Sequence, residues 1–144
     1  MRTVLVTAVL TMAIDQGVKD LLRRRLGTRS VRLGAGATLR LVSARMWLAR
    51  ANRESRVARM WLVWVLAAGA LVTLAGWIPS SSVPVGLLLG GSLSHAWETT
   101  ARGSVSDYIC SKWWPAFNLA DVAITAGTVG ILLTGTLALR AALG

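Results

Sequence analysis

The chain has 144 residues, 54% of them apolar and only 15% charged, with a net charge of +10. So basic a balance can mark a nucleic-acid partner, but a soluble basic domain does not carry apolar runs this long. Anionic lipid headgroups are the simpler partner, and no nucleic acid is expected. A lone cysteine, Cys110, excludes an internal disulfide and any cysteine-rich metal site, and reads as a small buried or interfacial side chain.

The first apolar block runs from about Val4 to Leu22 and is interrupted by Asp15, Lys19 and Asp20. Met1–Ile14 has the basic start and apolar centre of a secretory leader. Asp15, Gln16 and Lys19 stand where a small-residue cleavage site would fall, so a retained first helix is expected. Arg23–Arg59 follows, with eleven arginines and one acid. Within it, Ser30–Val42 alternates loosely at period two among glycines, compatible with short strands lying over a bilayer. Small apolar clusters stand at Thr38–Val42 and Met46–Ala49, and Ala44–Arg59 is compatible with an interfacial amphipathic helix.

The second block, Met60–Ile78, is nineteen residues without a charge, closed by Pro79. A tight turn at Ser80–Ser82 makes helices two and three an antiparallel hairpin. The third block, Val85–Trp97, is short, and its Gly86, Gly90 and Gly91 allow close helix approach. The fourth spans about Leu119–Leu139, with Asp121 in its first turn and Arg140 at its end. About 20 residues cross a hydrocarbon core; the second and fourth blocks satisfy this, and the first and third need extension into the interface. Several of the seven tryptophans stand at block edges, where indole favours the headgroup region. The expected fold is an all-α membrane protein with four transmembrane helices. It forms one integral-membrane domain over residues 1–144, with residues 23–59 as a basic surface connection able to hold a small β-sheet.

Four crossings place the first and third connections on the same side. Segment order alone therefore gathers Asp15, His95, Glu98, Asp107 and Asp121 at one face. A carboxylate at a membrane face is costly unless it is hydrogen-bonded, paired or used. Two carboxylates close together titrate in coupled steps, one able to activate water and the other to polarise a carbonyl. The plainer roles are helix capping for Asp121, an exposed loop acid for Asp107, and a structural polar cluster for Asp15 and Lys19, four apart on one helix face. His95 and Glu98 also share a helical face. They suit a hydrogen-bonded interior pair that orders the site, or a metal site; no resident metal or cofactor is expected.

Three stretches resemble the lipoprotein signal peptidases (signal peptidase II). They are Asp15-Gln16-x-x-Lys19, then Gly90-Gly91-Ser92-Leu93 with Val105-Ser106-Asp107-Tyr108-Ile109, and Pro115-Ala116-Phe117-Asn118-Leu119-Ala120-Asp121-x-Ala123-Ile124. The resemblance spans essentially the whole chain. It implies that Asp107 and Asp121 form a catalytic dyad supported by Asn118, with Asp15 and Lys19 ordering the site from helix one. The implied substrate is a diacylglyceryl-modified prolipoprotein, cut just before its lipid-bearing cysteine in a bacterial inner (cytoplasmic) membrane. Where the family has an Asn-x-x-Asp-Arg run, this chain reads His95-Ala96-Trp97-Glu98-Thr99. The family's Asn-x-Gly-Ala-Phe signature is replaced near Ser43-Ala44-Arg45-Met46-Trp47. The dyad is thus retained while the substrate-reading surroundings are rebuilt. The resemblance also implies an active face outside the cytoplasm, against the tendency of arginine-rich connections to stay inside.

The reading is an intramembrane aspartic endopeptidase acting on a lipid-modified prolipoprotein or related lipid-linked peptide. Two alternatives stand beside it. One is a paralogue with changed substrate or metal-assisted chemistry at His95 and Glu98; the other is a non-catalytic membrane binding protein.

Overall fold

The computed structural model describes residues 1–27, 29–34, 36–45 and 53–144. Helix α1 (Arg2–Leu26) leads into strands β1 (Val31–Gly34) and β2 (Ala37–Arg45). Helix α2 (Arg53–Trp77) is joined by a 3-10 turn at Pro79–Ser81 to α3 (Ser82–Arg102). Strand β3 (Ser104–Ser111) and helix α4 (Leu119–Leu143) complete the chain. The chain is thus mostly helical, with a three-stranded antiparallel sheet in the order β1-β2-β3.

Three sequence expectations change. The third helix extends through Glu98, as its short apolar block required, but not into an interface: α3 has 21 residues, and Glu98 and Thr99 are buried. The sheet is not confined to the connection between helices one and two, since β3 comes from the connection holding Asp107. No single interfacial helix covers Ala44–Arg59: Ala44 and Arg45 extend β2, and α2 begins at Arg53. The Met46–Ala49 cluster lies outside the described residues.

Helix α3 is the centre of the bundle, flanked by α1 and α4, with α2 laid against it. Glycines make the close approaches. A Cβ on Gly90 would stand 2.4 Å from the Ala8 carbonyl oxygen of α1, and one on Gly91 would stand 2.7 Å from the Ala120 carbonyl oxygen of α4. Indole N–H groups pin α2 to α3, Trp61 donating to Thr100 Oγ1 at 2.9 Å and Trp64 to Ser92 Oγ at 3.0 Å. The apolar core, Val4, Ala75, Val85 and Leu89, ties the beginnings of α1 and α3 to the end of α2. Asp15 and Lys19, Ser94 and Glu98 are instead buried further along α1 and α3, with Asn118 at the start of α4. Among the described residues, two helices, α2 over Glu54–Trp77 and α4 over Leu119–Leu143, are long and apolar enough to cross a membrane.

Gly103 ends α3 in the left-handed region at φ 70°, donating its N–H to the Thr99 carbonyl. This conformation suits glycine, and it turns the chain directly into β3. There Asp107 pairs with Val42 of β2. On its other side β3 meets Phe117 through reciprocal backbone hydrogen bonds with Ile109, 2.9 and 3.1 Å long. That bridge delivers Asn118 and the start of α4 beside Asp107.

Candidate active site

The amino end of α4 is where the site is assembled. A helix start leaves backbone N–H groups without intrahelical partners, and three parts of the chain supply them here. Leu119 N–H donates to Tyr108 Oη at 3.0 Å, Ala120 N–H to Asp15 Oδ1 at 3.1 Å and Asp121 N–H to Asn118 Oδ1 at 3.1 Å. Asp121 Oδ2 in turn accepts the Asn118 backbone N–H at 2.9 Å, completing a reciprocal capping box. Asp121 therefore caps its helix with one oxygen, and its other oxygen, Oδ1, lies 3.6 Å from His95 Nε2.

Asn118 is buried and joins the two candidate catalytic acids. Its Nδ2 donates to Asp107 Oδ1 at 2.7 Å while its Oδ1 receives the Asp121 N–H. The Asp107 carboxyl is pushed above the ordinary carboxylate range by burial, and the charge of Asp121 adds to that. The Asn118 hydrogen bond and the charges of His95 and Lys19 oppose it. Burial also pushes the Tyr108 phenol up to about 12, so it stays neutral as a cap for α4.

Beneath this pair lies an ion network. Lys19 Nζ sits 2.7 Å from Asp15 Oδ2 and 2.9 Å from Glu98 Oε2, all three side chains being fully buried. Both contacts are ion pairs by distance rather than aligned hydrogen bonds. Glu98 Oε1 accepts from Arg23, whose guanidinium also donates to Ser106 Oγ at 3.0 Å and Asp20 Oδ1 at 2.7 Å. Ser94 Oγ donates to Asp15 at 2.6 Å and accepts from Gln16 at 2.7 Å. Two buried acids thus face two cations, which makes burial of the charges tolerable.

All seven residues singled out from sequence gather at this end of the bundle: Asp15, Lys19, His95, Glu98, Asp107, Asn118 and Asp121. His95 and Glu98 do not act as one unit, however. Glu98 turns to Lys19 and Arg23, and His95 turns to Asn118 and Asp121. Among the described residues, no group of three His, Cys, Asp or Glu side chains is arranged to hold a metal ion. Sequence reasoning missed Arg23, Ser94 and Tyr108. Arg23 continues the four-residue spacing of Asp15 and Lys19 along one helix face, the signal by which it was findable.

A groove of about 710 Å³ runs along α4 from Asp121, lined by Trp114, Phe117, Val122, Ala126, Val129 and Leu133. A carboxylate at one end of an apolar trough suits a ligand that is polar at one point and greasy beyond it.

The fold is that of a bacterial membrane enzyme. One such enzyme, solved in meso at 1.9 Å resolution, superposes with a TM-score of 0.76 over 92% of both chains at 20% identity. A second structure, at 2.3 Å, gives 0.73 over 92% of this chain and 87% of that one, again at 20% identity. The profile of the signal peptidase (SPase) II family matches residues 7–137, and the chain belongs to that family. Similar curated proteins include the lipoprotein signal peptidase of Xylella fastidiosa (strain 9a5c), 37% identical over 84 residues, covering 51% of this chain and 50% of that protein. That of Xanthomonas campestris pv. campestris (strain 8004) is 34% identical over 90 residues, covering 54% and 53%. That of Methylorubrum extorquens (strain PA1) is 35% identical over 82 residues, covering 51% and 48%. The matched segments span about half the length of these relatives.

Proposed function

We propose that this chain is an aspartic endopeptidase of the membrane, cleaving a lipid-modified prolipoprotein or a related lipid-linked peptide. The observation that carries the reading is the bridge made by Asn118, which hydrogen-bonds both to Asp107 and to the helix turn bearing Asp121. Family membership and the names of the curated relatives support the substrate class. The groove along α4 supports it too, because an apolar chain laid there ends at Asp121.

In the proposed reaction Asp121 is the ionised member. It accepts a backbone N–H at a helix start, where the helix dipole favours negative charge. Asp107, pushed toward its protonated form by burial, is the acid. Water attacks the scissile carbonyl carbon and gives its proton to Asp121, while Asp107 passes its proton to the carbonyl oxygen. Collapse of the resulting diol breaks the C–N bond. The departing amine takes the proton held by Asp121, and a hydroxyl proton returns to Asp107.

The chain acts as one integral-membrane domain over residues 1–144, with all four helices crossing the inner membrane of a bacterium. The exposed Arg29, Arg32 and Arg40 of the connection between α1 and α2 rest on anionic headgroups. The site faces away from the cytoplasm, and the largely exposed Trp113 and Trp114 beside it suit the headgroup region.

The test is cleavage of a diacylglyceryl-modified prolipoprotein by the purified, detergent-solubilised protein. Asp107→Asn and Asp121→Asn run alongside, with folding checked by helicity and thermal unfolding. Release of the signal peptide by wild type, lost in both variants, is the expected result. Wild-type cleavage rates in both variants would sink the assignment, and an inert but folded wild type would sink the peptidase reading.

A further inference from the structure

His95 stands at the point where Asn118 and Asp121 meet. Its Nε2 lies 3.2 Å from Asn118 Oδ1 and 3.6 Å from Asp121 Oδ1. The orientation of the Asn118 amide is fixed independently of the histidine. Its Nδ2 faces the Asp107 carboxyl at 2.7 Å and the Ser106 carbonyl at 3.4 Å, both acceptors, and its Oδ1 receives the Asp121 N–H. The oxygen that faces His95 can therefore only accept, and so can a carboxylate oxygen of Asp121. Nε2 must carry hydrogen in either charge state of the ring, so its lone pair is not available to the site.

We propose that His95 is a positioning residue for the hydrolytic reaction. It donates from Nε2 to lock the Asn118 bridge and, as imidazolium, favours the singly ionised state of the Asp107–Asp121 pair. The second half of the statement rests on the peptidase reading; the first half does not. His95 is consequently neither a general base nor a metal ligand through Nε2.

The charged groups facing this ring come from several elements. They are Asp121 on α4 and Asp107 on β3; Glu98, on the same helix, is taken by Lys19 and Arg23. Across the groove of about 410 Å³ that His95 also lines, α2 presents Met60, Val63, Trp64, Ala67 and Leu71, none of them charged. Asp121 is thus the acid nearest His95 that is not already closed in an ion pair.

His95 is the sole histidine of the chain, so its ring nitrogens can be read without assignment ambiguity. The first measurement is the 15N spectrum of the imidazole-labelled full chain in detergent micelles above the histidine titration. Protonated Nε2 with bare Nδ1 is expected, and the opposite tautomer would overturn the proposal whether or not the protein is a peptidase. The second is the pH profile of kcat/KM on the lipid-modified prolipoprotein for wild type, His95→Gln and His95→Leu. Glutamine keeps a donor at the reach of Nε2 without the charge. It should keep more activity than leucine at that position, with the acid limb displaced toward neutral pH by about half a unit or more. Leucine, with neither donor nor charge, should lose at least about tenfold in kcat at unchanged KM. An acid limb unmoved in His95→Gln would overturn the electrostatic role. A wild type inert on every such substrate would overturn that role together with the peptidase reading, leaving the tautomer to decide the Asn118 lock alone.

Discussion

The Asp15 carboxylate on α1 accepts the backbone N–H of Ala120 on α4 at 3.1 Å, across 105 positions of sequence. The first helix therefore caps the fourth. The same carboxylate is held by Ser94 of α3 and by Lys19, so three helices share one buried group. Because Asp121 is the next residue after Ala120, whatever fixes Asp15 also fixes the position of the candidate catalytic acid.

Lys19→Met tests this joint. It leaves Asp15 and Glu98 both buried, with only the Arg23 guanidinium remaining against Glu98. Removing one partner of a buried pair costs about 3–5 kcal/mol, so a large fall in the thermal midpoint in detergent is expected. Asp15→Asn keeps an oxygen for Ala120 N–H and should be milder. A Lys19→Met protein as stable as wild type would mean that the buried charges do not depend on one another.

Asn118 combines a cap and a bridge, and the two can be separated. Asn118→Ser retains an acceptor for the Asp121 N–H but has no amide to donate to Asp107. Its stability should stay within about 1 kcal/mol of wild type, while cleavage falls at least about a hundredfold. Asn118→Ala loses both functions and should be destabilised as well, by about 0.5–2 kcal/mol. Cleavage by the serine variant at the wild-type rate would show that the bridge to Asp107 is dispensable.

Glycines of α3 should divide by what a methyl group would meet. Gly90→Ala drives Cβ into the Ala8 backbone of α1, and Gly91→Ala into the first two turns of α4 at Ala120 and Ile124. Overpacking of this kind costs about 1–3 kcal/mol. Gly91→Ala should lose proportionately more activity, because it displaces the turn that carries Asp121. On α2, Gly69 has nothing within 4 Å of such a methyl group, and Gly69→Ala should be neutral or stabilising. Equal thermal midpoints for all three variants would contradict the packing.

The uncharged runs of α2 and α4 were legible because nothing interrupts their hydropathy. The Asp15–Lys19 pair was legible from its spacing. Strand β3 was not: Ser104–Ser111 is bounded by Gly103 and Lys112 and reads as a polar connection. Its neighbour β2 is some sixty residues earlier, so no local pattern announces the pairing. The burial of the end of α3 was hidden for a related reason. Glu98 and Thr99 resemble the polar end of a span until α1 brings Lys19 to Glu98 and covers it. Segment order gathered the acids at one face, but it carried no information on Tyr108, whose part depends on where Leu119 comes to rest. Asn118 stood out only as a neighbour of Asp121. That it spans both acids follows from the Phe117–Ile109 bridge, a tertiary contact.

Asp107→Asn separates catalysis from stability through pH. Burial raises the Asp107 carboxyl above its ordinary value of 3.8, so the folded protein binds that proton more tightly than the unfolded chain does. The stabilisation is fully present below the unfolded value and is lost as pH rises through the raised one. Asparagine is neutral throughout and can still accept the Asn118 amide, so it escapes that loss. The variant should therefore be inactive, yet at least as stable as wild type at pH 7. Its advantage should shrink as pH is lowered toward about 4, which thermal midpoints measured across that range in one detergent would show. A variant less stable than wild type at pH 7, or an advantage that grows toward acid, would mean that the ionised Asp107 carboxylate is stabilised by its surroundings and that Asp107 cannot be the protonated member of the pair.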